Sequence, residues 1–241
     1  MSAEKRRNSL SWISRKSWDR VIALGSVTNV HGVSGVQEHA LTIKSVGDAA
    51  ASRNRALQLL EYGAAEPAAE KRRALLTFVV AGGGFSGVES MAALNDLVRG
   101  IAKNYPHIQE QDIRTLLVHP GKRLLPELSA GLAHYAQRKL QQRGVEVILN
   151  TAITGAGPDY TELEGGQRIP TPMLIWTAGV TPRPVIGTLD AKRGHHGGIV
   201  VDACCAVPGH AGVWALGDCA EVPRAGGQET YAPTAQNATR E

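Results

Sequence analysis

The hydrophobic pattern of the chain switches between two periods. Thr77-Phe78-Val79-Val80-Ala81 is an unbroken, β-branched apolar run, the mark of a strand covered on both faces. It ends in glycines and gives way to a segment in which Val88, Met91, Leu94, Leu97 and Val98 share one face at helical spacing. A strand, a tight turn and a helix are therefore predicted between Leu75 and Leu97.

The same alternation recurs on either side. Val21-Ile22-Ala23-Leu24 predicts a short buried strand stopped by Gly25 and Ser26. Residues 44–62 predict a helix, with Ala50, Leu57 and Leu60 near helical spacing and Gly63 as its stop, and residues 64–74 read as a linker. Thr115 to Val118 predicts a strand ending at His119-Pro120-Gly121. A helix follows from Ser129 to Arg143, carrying Leu132, Ala136 and Leu140, and then a strand from Val145 to Leu149. Gly165-Gly166 between alternating segments predicts a β-hairpin over Tyr160 to Ile169. Met173 to Trp176, Gly198 to Val201 and Val213 to Leu216 complete the strands, the last running into Gly217-Asp218. Strands interleaved with helices imply an α/β fold with a largely parallel sheet.

Composition narrows the class. With 241 residues, 43% hydrophobic and 20% charged, the chain has the make-up of a globular protein of one large or two modest domains, without internal repeats. Its net charge of +4 suggests an acidic partner until the cations are located. The excess lies in the first twenty residues, where Lys5, Arg6, Arg7, Arg15, Lys16 and Arg20 face only Glu4 and Asp19, so a nucleic-acid partner is not expected. The basic tail, residues 1–17, lacks the apolar stretch of a secretory signal. It reads either as a solvated tail or as a short amphipathic surface anchor built on Leu10, Trp12 and Ile13. No uncharged apolar stretch approaches the roughly 18 residues of a membrane span. Cys204, Cys205 and Cys219 form neither a disulfide framework nor a zinc spacing, which fits a reduced, cytoplasmic compartment. His195 and His196 fall in a glycine-rich loop, and no metal site is expected.

Chemistry concentrates at Gly82-Gly83-Gly84-Phe85-Ser86-Gly87, a G-x-G-x-x-G pattern between a strand and a helix. In a Rossmann unit the first glycine permits the sharp turn, the second admits a pyrophosphate, and the third lets helix and strand pack closely. The free N–H groups of the helix N-terminus then hold the anion. The acidic residue that usually accepts hydrogen bonds from the ribose 2′-OH is not found; His119 occupies the end of the following strand, with Lys122 and Arg123 beyond it. Both NAD and NADP therefore stay open. Glu89, on the predicted first turn of the helix, is either a carboxylate favoured by the helix dipole or a functional acid at the mouth of a cofactor site.

TFVVAGGGFSGVE, LLPELS, GVEVILNT, LIWTAGVTP, VWALGDCAEVP and APTAQNA, in that order, resemble the type II NADH dehydrogenases, which belong to the FAD-dependent pyridine-nucleotide oxidoreductases. The resemblance runs from about Trp18 to the last residue and opens on WDRVIALGSVTN, the strand closing the first FAD segment, which contains Gly25. It implies NADH binding by Gly82, Gly83, Gly84, Phe85, Ser86 and Gly87, with His119 and Gly179 in the same cofactor site. It implies FAD binding at Gly25, Gly217, Asp218, Thr234 and Ala235, with Asp218 on the ribityl chain. Glu89 and Gln236 are implied as the catalytic pair near the nicotinamide, flavin and quinone. The implied activity is hydride transfer from NADH to flavin and then reduction of a quinone. The family also implies peripheral membrane attachment at the inner face of the cell membrane and admits a homodimer.

The departures are equally specific. No G-x-G-x-x-G precedes Trp18, the family's C-terminal membrane-binding helices are not found, and Arg240 replaces a glutamine usual after Gln236. The expected organisation is a basic tail over 1–17, part of an FAD-binding domain with a linker over 18–74, an NAD(P)-binding Rossmann domain over 75–182, and the returning FAD-binding part over 183–241. A fragment of a longer enzyme fits this pattern. A flavin-free NAD(P)-binding module, an inactive fragment and a flavin reductase with another acceptor are the rival readings.

Overall fold

A computed structural model describes residues 19–224, 230–232 and 234–240, without the side chain of Gln236. The expectations for the basic tail, residues 1–17, and for the Gln236 side chain lie outside the described residues. By its internal contacts the chain divides into two units, Thr28–Val180 and the segments on either side of it.

Strand β1 (Arg20–Ile22) and strand β2 (Ser26–Thr28) come first, separated by a turn at Gly25. The run from Val21 to Leu24 is not the buried strand its hydrophobicity predicts: Val21 is 60% and Leu24 43% exposed. Among the described residues β1 has a single ladder partner.

Inside the Thr28–Val180 unit the chain continues through α1 (Val36–His39), β3 (Ala40–Thr42), α2 (Val46–Ala65), α3 (Ala69–Leu75), β4 (Thr77–Ala81) and α4 (Phe85–Ala102). It proceeds through β5 (Arg114–Val118), α5 (Ala130–Gln142), β6 (Val145–Ile148), β7 (Ile153–Ala156), β8 (Tyr160–Leu163), β9 (Arg168–Pro170) and β10 (Leu174–Trp176), and leaves on β11 (Val180–Pro182). Five strands form a wholly parallel sheet in the order β3-β10-β4-β5-β6. The period of two explains its unbroken apolar strands. Phe78 and Val80 point into a core shared with Leu59, Leu60, Met91, Val98 and Leu140, from α2, α4 and α5. Val79 and Ala81 point to the other face, against Val36, Ile153, Leu163 and Ile169 from α1 and the antiparallel ribbon β7-β8-β9. Burial of each large side chain contributes about 1.5–3 kcal/mol, so the doubly covered strand β4 anchors the loop that follows it.

Three sequence expectations fail here for packing reasons. Gly63 does not stop α2; it lies buried inside the helix, where a Cβ would come within 2.7 Å of the Leu76 side chain. The expected linker over 64–74 is largely helix α3, which packs on α2. Leu132 does not face the core either. It is 56% exposed, and α5 instead buries Ala133 and Leu140. The hairpin forms where expected, with Gly165 and Gly166 at φ of 87° and 83°, as a primed turn requires.

Segment 28–74, grouped by sequence with the flavin part, packs with the five-stranded sheet: β3 is its edge strand, hydrogen-bonded to β10. A capping box sets the start of α2. The Ser45 hydroxyl accepts from the Asp48 N–H at 3.1 Å, and the Asp48 carboxylate accepts from the N–H groups of Lys44 and Ser45. The Lys44 N–H, above all, holds the Asp48 carboxyl below its ordinary value. Its stabilisation is thus fully present above the unfolded value of 3.8 and fades as the pH drops below it. Ser45→Ala is expected to cost about 1 kcal/mol, lowering Tm by about 2–4 °C in calorimetry; an unchanged Tm would remove the cap from the account.

The second unit rests on β1 and on β12 (Ile199–Val200), β13 (Val213–Ala215), β14 (Ala220–Glu221) and α6 (Ala235–Ala238). β1 pairs in parallel with β13, and β12 with β14. Ile186, Ile199, Val201, Val207, Ala215 and Val222 form its core. Cys219 is fully buried within it and packs as a small hydrophobe, its thiol against the Ile22 and Leu216 carbonyls.

Candidate functional site

Strand β4 delivers the glycine loop to the carboxyl end of the parallel sheet, where β10 and β5 flank it. Each glycine of the loop meets a different requirement. Gly82 adopts φ 108°, and a Cβ there would stand 2.7 Å from Thr177 Oγ1 and 2.9 Å from the Ala178 nitrogen. Gly87, on the first turn of α4, lies against the Gly82 carbonyl, with Thr177 Oγ1 2.8 Å from where a Cβ would be. At Gly84 a Cβ would meet nothing within 4 Å. This residue is the N-cap of α4, and no side chain caps the helix. Its end therefore presents backbone N–H groups and the positive end of the helix dipole to open space, with no carboxylate in the first turn. That arrangement suits a phosphate group.

His119 closes one side. The register Ala81↔Val118 sets it beside Gly82, and the Gly83 N–H donates to its Nδ1 at 3.1 Å. Burial holds the imidazole below its ordinary value, partly opposed by the Glu127 carboxylate. Gly179 closes the other. It packs on the His31 imidazole, and its carbonyl accepts from the Asn29 N–H at 3.0 Å. The unit thus brings Gly82 to Gly87, His119 and Gly179 to one end of one sheet.

Glu89 is the fifth residue of α4, in its second turn rather than the first, so the helix dipole does less to explain it. Its exposed side chain lines a cavity of 440 Å³ between α2 and α4, with Ile43, Ser52, Arg53, Leu97 and Ile175 among the walls. The sequence offered no sign of this cavity or of Ser52, which is 6% exposed with its hydroxyl unpartnered within the protein. Asn95, the other buried polar residue facing inward from these helices, is bonded on both sides of its amide: it accepts from Thr115 Oγ1 and Arg99 Nε and donates to the Arg143 carbonyl.

The other unit assembles the remaining predicted positions. Asp218 Oδ2 accepts from the buried Ser26 hydroxyl at 2.5 Å, next to the Gly25 turn. Gly217 lies against Ala238 of α6, whose N-cap is Thr234, bonded to the Asn237 N–H at 3.2 Å. Gly25, Gly217 and Asp218 therefore lie just past the ends of the paired strands β1 and β13, and α6, which carries Thr234 and Ala235, meets Gly217 through Ala238.

Residues 16–241 match the family described as pyridine nucleotide-disulphide oxidoreductase. The chain belongs to that family. The chain is 31% identical over 234 residues to the external alternative NADH-ubiquinone oxidoreductase of Yarrowia lipolytica mitochondria, covering 92% of this chain and 39% of the relative. It is 30% identical to the internal alternative NAD(P)H-ubiquinone oxidoreductase A1 of Arabidopsis thaliana, covering 95% of this chain and 45% of the relative. A probable NADH dehydrogenase of Dictyostelium discoideum is 28% identical, with 91% and 48% covered. The chain thus spans less than half the length of these curated relatives. In fold it is similar to NDH2 from Plasmodium falciparum solved with NADH, with a TM-score of 0.76 at 22% identity over 85% of this chain and 44% of that one. The relatives bear out the resemblance read from the motif series, and the parallel sheet bears out the α/β fold class.

Proposed function

We propose that this oxidoreductase is the NAD(P)H- and flavin-binding part of a quinone-reducing NADH dehydrogenase. The observation that carries the reading is the uncapped N-terminus of α4, opening at Gly84 between two glycines that are themselves packed against protein. Those residues fit a dinucleotide diphosphate, with Gly82 to Gly87 holding the anion and His119 beside the adenosine ribose. Asp218, a carboxylate already accepting one hydroxyl, fits the polyol chain of FAD, with Gly25, Gly217, Thr234 and Ala235 around it. FAD, when bound, supplies the acceptor for a hydride and the route for two electrons onward. A quinone as final acceptor is supported by the relatives named as ubiquinone oxidoreductases. Among the described residues no helix is long and apolar enough to cross a membrane. Access to a lipid-borne quinone therefore calls for attachment at the membrane surface, with the basic tail as the candidate contact.

Titration of NADH into the protein supplied with FAD, followed by visible absorption, tests the reading. Bleaching of the flavin band, with reoxidation by a soluble quinone, is the expected result. Nucleotide binding without retained flavin would favour the flavin-free module, and no nucleotide binding would overturn the site. Glu89, exposed on α4 at the rim of the 440 Å³ cavity, is assigned to holding or moving a proton. Glu89→Gln is expected to lower turnover by about 10²-fold while leaving NADH affinity within about twofold. Unchanged turnover would return Glu89 to a surface role.

A further inference from the structure

His119 stands where a Rossmann fold places the residue that reads the ribose 2′ position, and its surroundings set its protonation state. The ring is held between two glycines: a Cβ at Gly83 would lie 2.6 Å from its Cγ and one at Gly121 2.5 Å from its Nε2. Because the Gly83 N–H donates to Nδ1, that nitrogen is an acceptor and the proton sits on Nε2, so the resident imidazole is neutral. Half-burial favours the same form. The charged group that acts on it is Glu127, and Lys122 and Arg123 follow His119 on the same loop. Arg123 is turned to the Pro126 carbonyl at 2.8 Å. The glycine loop and the first turn of α4 bring no charge, and the end of β6 brings only Asn150 and Thr151.

We propose that His119 discriminates NADPH from NADH by gaining a proton. Neutral, it accommodates the 2′-hydroxyl; as a cation, it pairs with the 2′-phosphate, so NADPH binding takes up a proton that NADH binding does not. This rests on the assignment of Gly82 to Gly87 as the nucleotide loop. Adding a proton at Nδ1 breaks the Gly83 bond, which keeps the cation rare until a phosphate faces it. An anion at hydrogen-bonding distance raises an imidazole pKa by about 1–3 units, enough to carry it across neutrality. A carboxylate at this strand end would repel the 2′-phosphate at any working pH, and a lysine would attract it at any working pH. The imidazole makes the choice depend on pH.

Calorimetric titration with NAD⁺ and NADP⁺, in buffers of contrasting ionisation enthalpy from about pH 5.5 to about pH 8.5, reads both proton uptake and affinity without turnover. The expected result is uptake approaching one proton per NADP⁺ near neutrality, little for NAD⁺, and a preference for NADP⁺ that rises about tenfold on acidification. His119→Gln retains an acceptor for Gly83 but cannot become a cation, and is expected to flatten that change. The 2′-phosphate itself ionises near about pH 6 in both proteins, so the difference between the two profiles is the measure. Identical profiles in parent and variant would overturn the proposal, as would a preference abolished by Lys122→Ala and untouched by His119→Gln. Failure to bind either nucleotide at any pH would instead overturn the loop assignment, and the proposal with it.

Discussion

Gly84→Asp will bind NADH at least about a hundredfold more weakly than the parent and will melt no lower. The two halves of that result have separate causes. A side chain at position 84 has room, because a Cβ there meets nothing within 4 Å, and Asp is a better helix N-cap than Gly by a few tenths of a kcal/mol. Thermal stability should therefore hold or rise by about 1 °C. The same carboxylate points its charge at the place a diphosphate would occupy. Two unit charges about 4 Å apart at an effective dielectric of about 20 repel by about 4 kcal/mol, against about 2.7 kcal/mol for a hundredfold loss. Fluorescence titration with NADH beside a calorimetric melt makes the comparison. Parent-like affinity in a folded Gly84→Asp protein would remove the nucleotide from this loop.

The opposite behaviour is expected at Gly87, three residues along. Here a methyl group has no room: it would run into the Gly82 carbonyl oxygen and crowd Thr177 Oγ1, whose own hydroxyl donates to the Ala81 carbonyl at 2.6 Å. Accommodation means lifting α4 off β4, disturbing the packing of Met91 and Val98 against Phe78 and Val80. Gly87→Ala is expected to cost about 3 kcal/mol, a fall in Tm of about 6–12 °C for a chain of this size. A melt within about 2 °C of the parent would show that helix and strand do not meet as closely as described. The pair of variants separates a glycine kept for a ligand from one kept for the fold.

Local signals were legible wherever local physics decides. The apolar run of β4, the glycines that end it and the Gly165-Gly166 hairpin were all read correctly, because strand covering, turn geometry and left-handed φ are properties of adjacent residues. The misreadings share a cause. Gly63 looks like a stop only until Leu76 is seen to need its missing side chain, and segment 64–74 looks like a linker until α3 finds α2 to pack on. Leu132 and Val21 look buried because they are apolar, whereas exposure depends on which elements reach them.

The sequence alone determined the α/β class, the glycine loop with its three distinct glycines, and the ordered motifs by which the family is known. Each is written in contiguous residues, where backbone sterics and hydrophobic period act over a few positions. Only the tertiary structure decided that β3 joins the five-stranded parallel sheet beside β10, and that His119 hands its Nδ1 to the loop 36 residues before it. It alone placed Glu89 and the unpartnered Ser52 hydroxyl on one cavity. These are juxtapositions of distant segments, set by which faces can be buried together, and no single stretch of the chain carries that information.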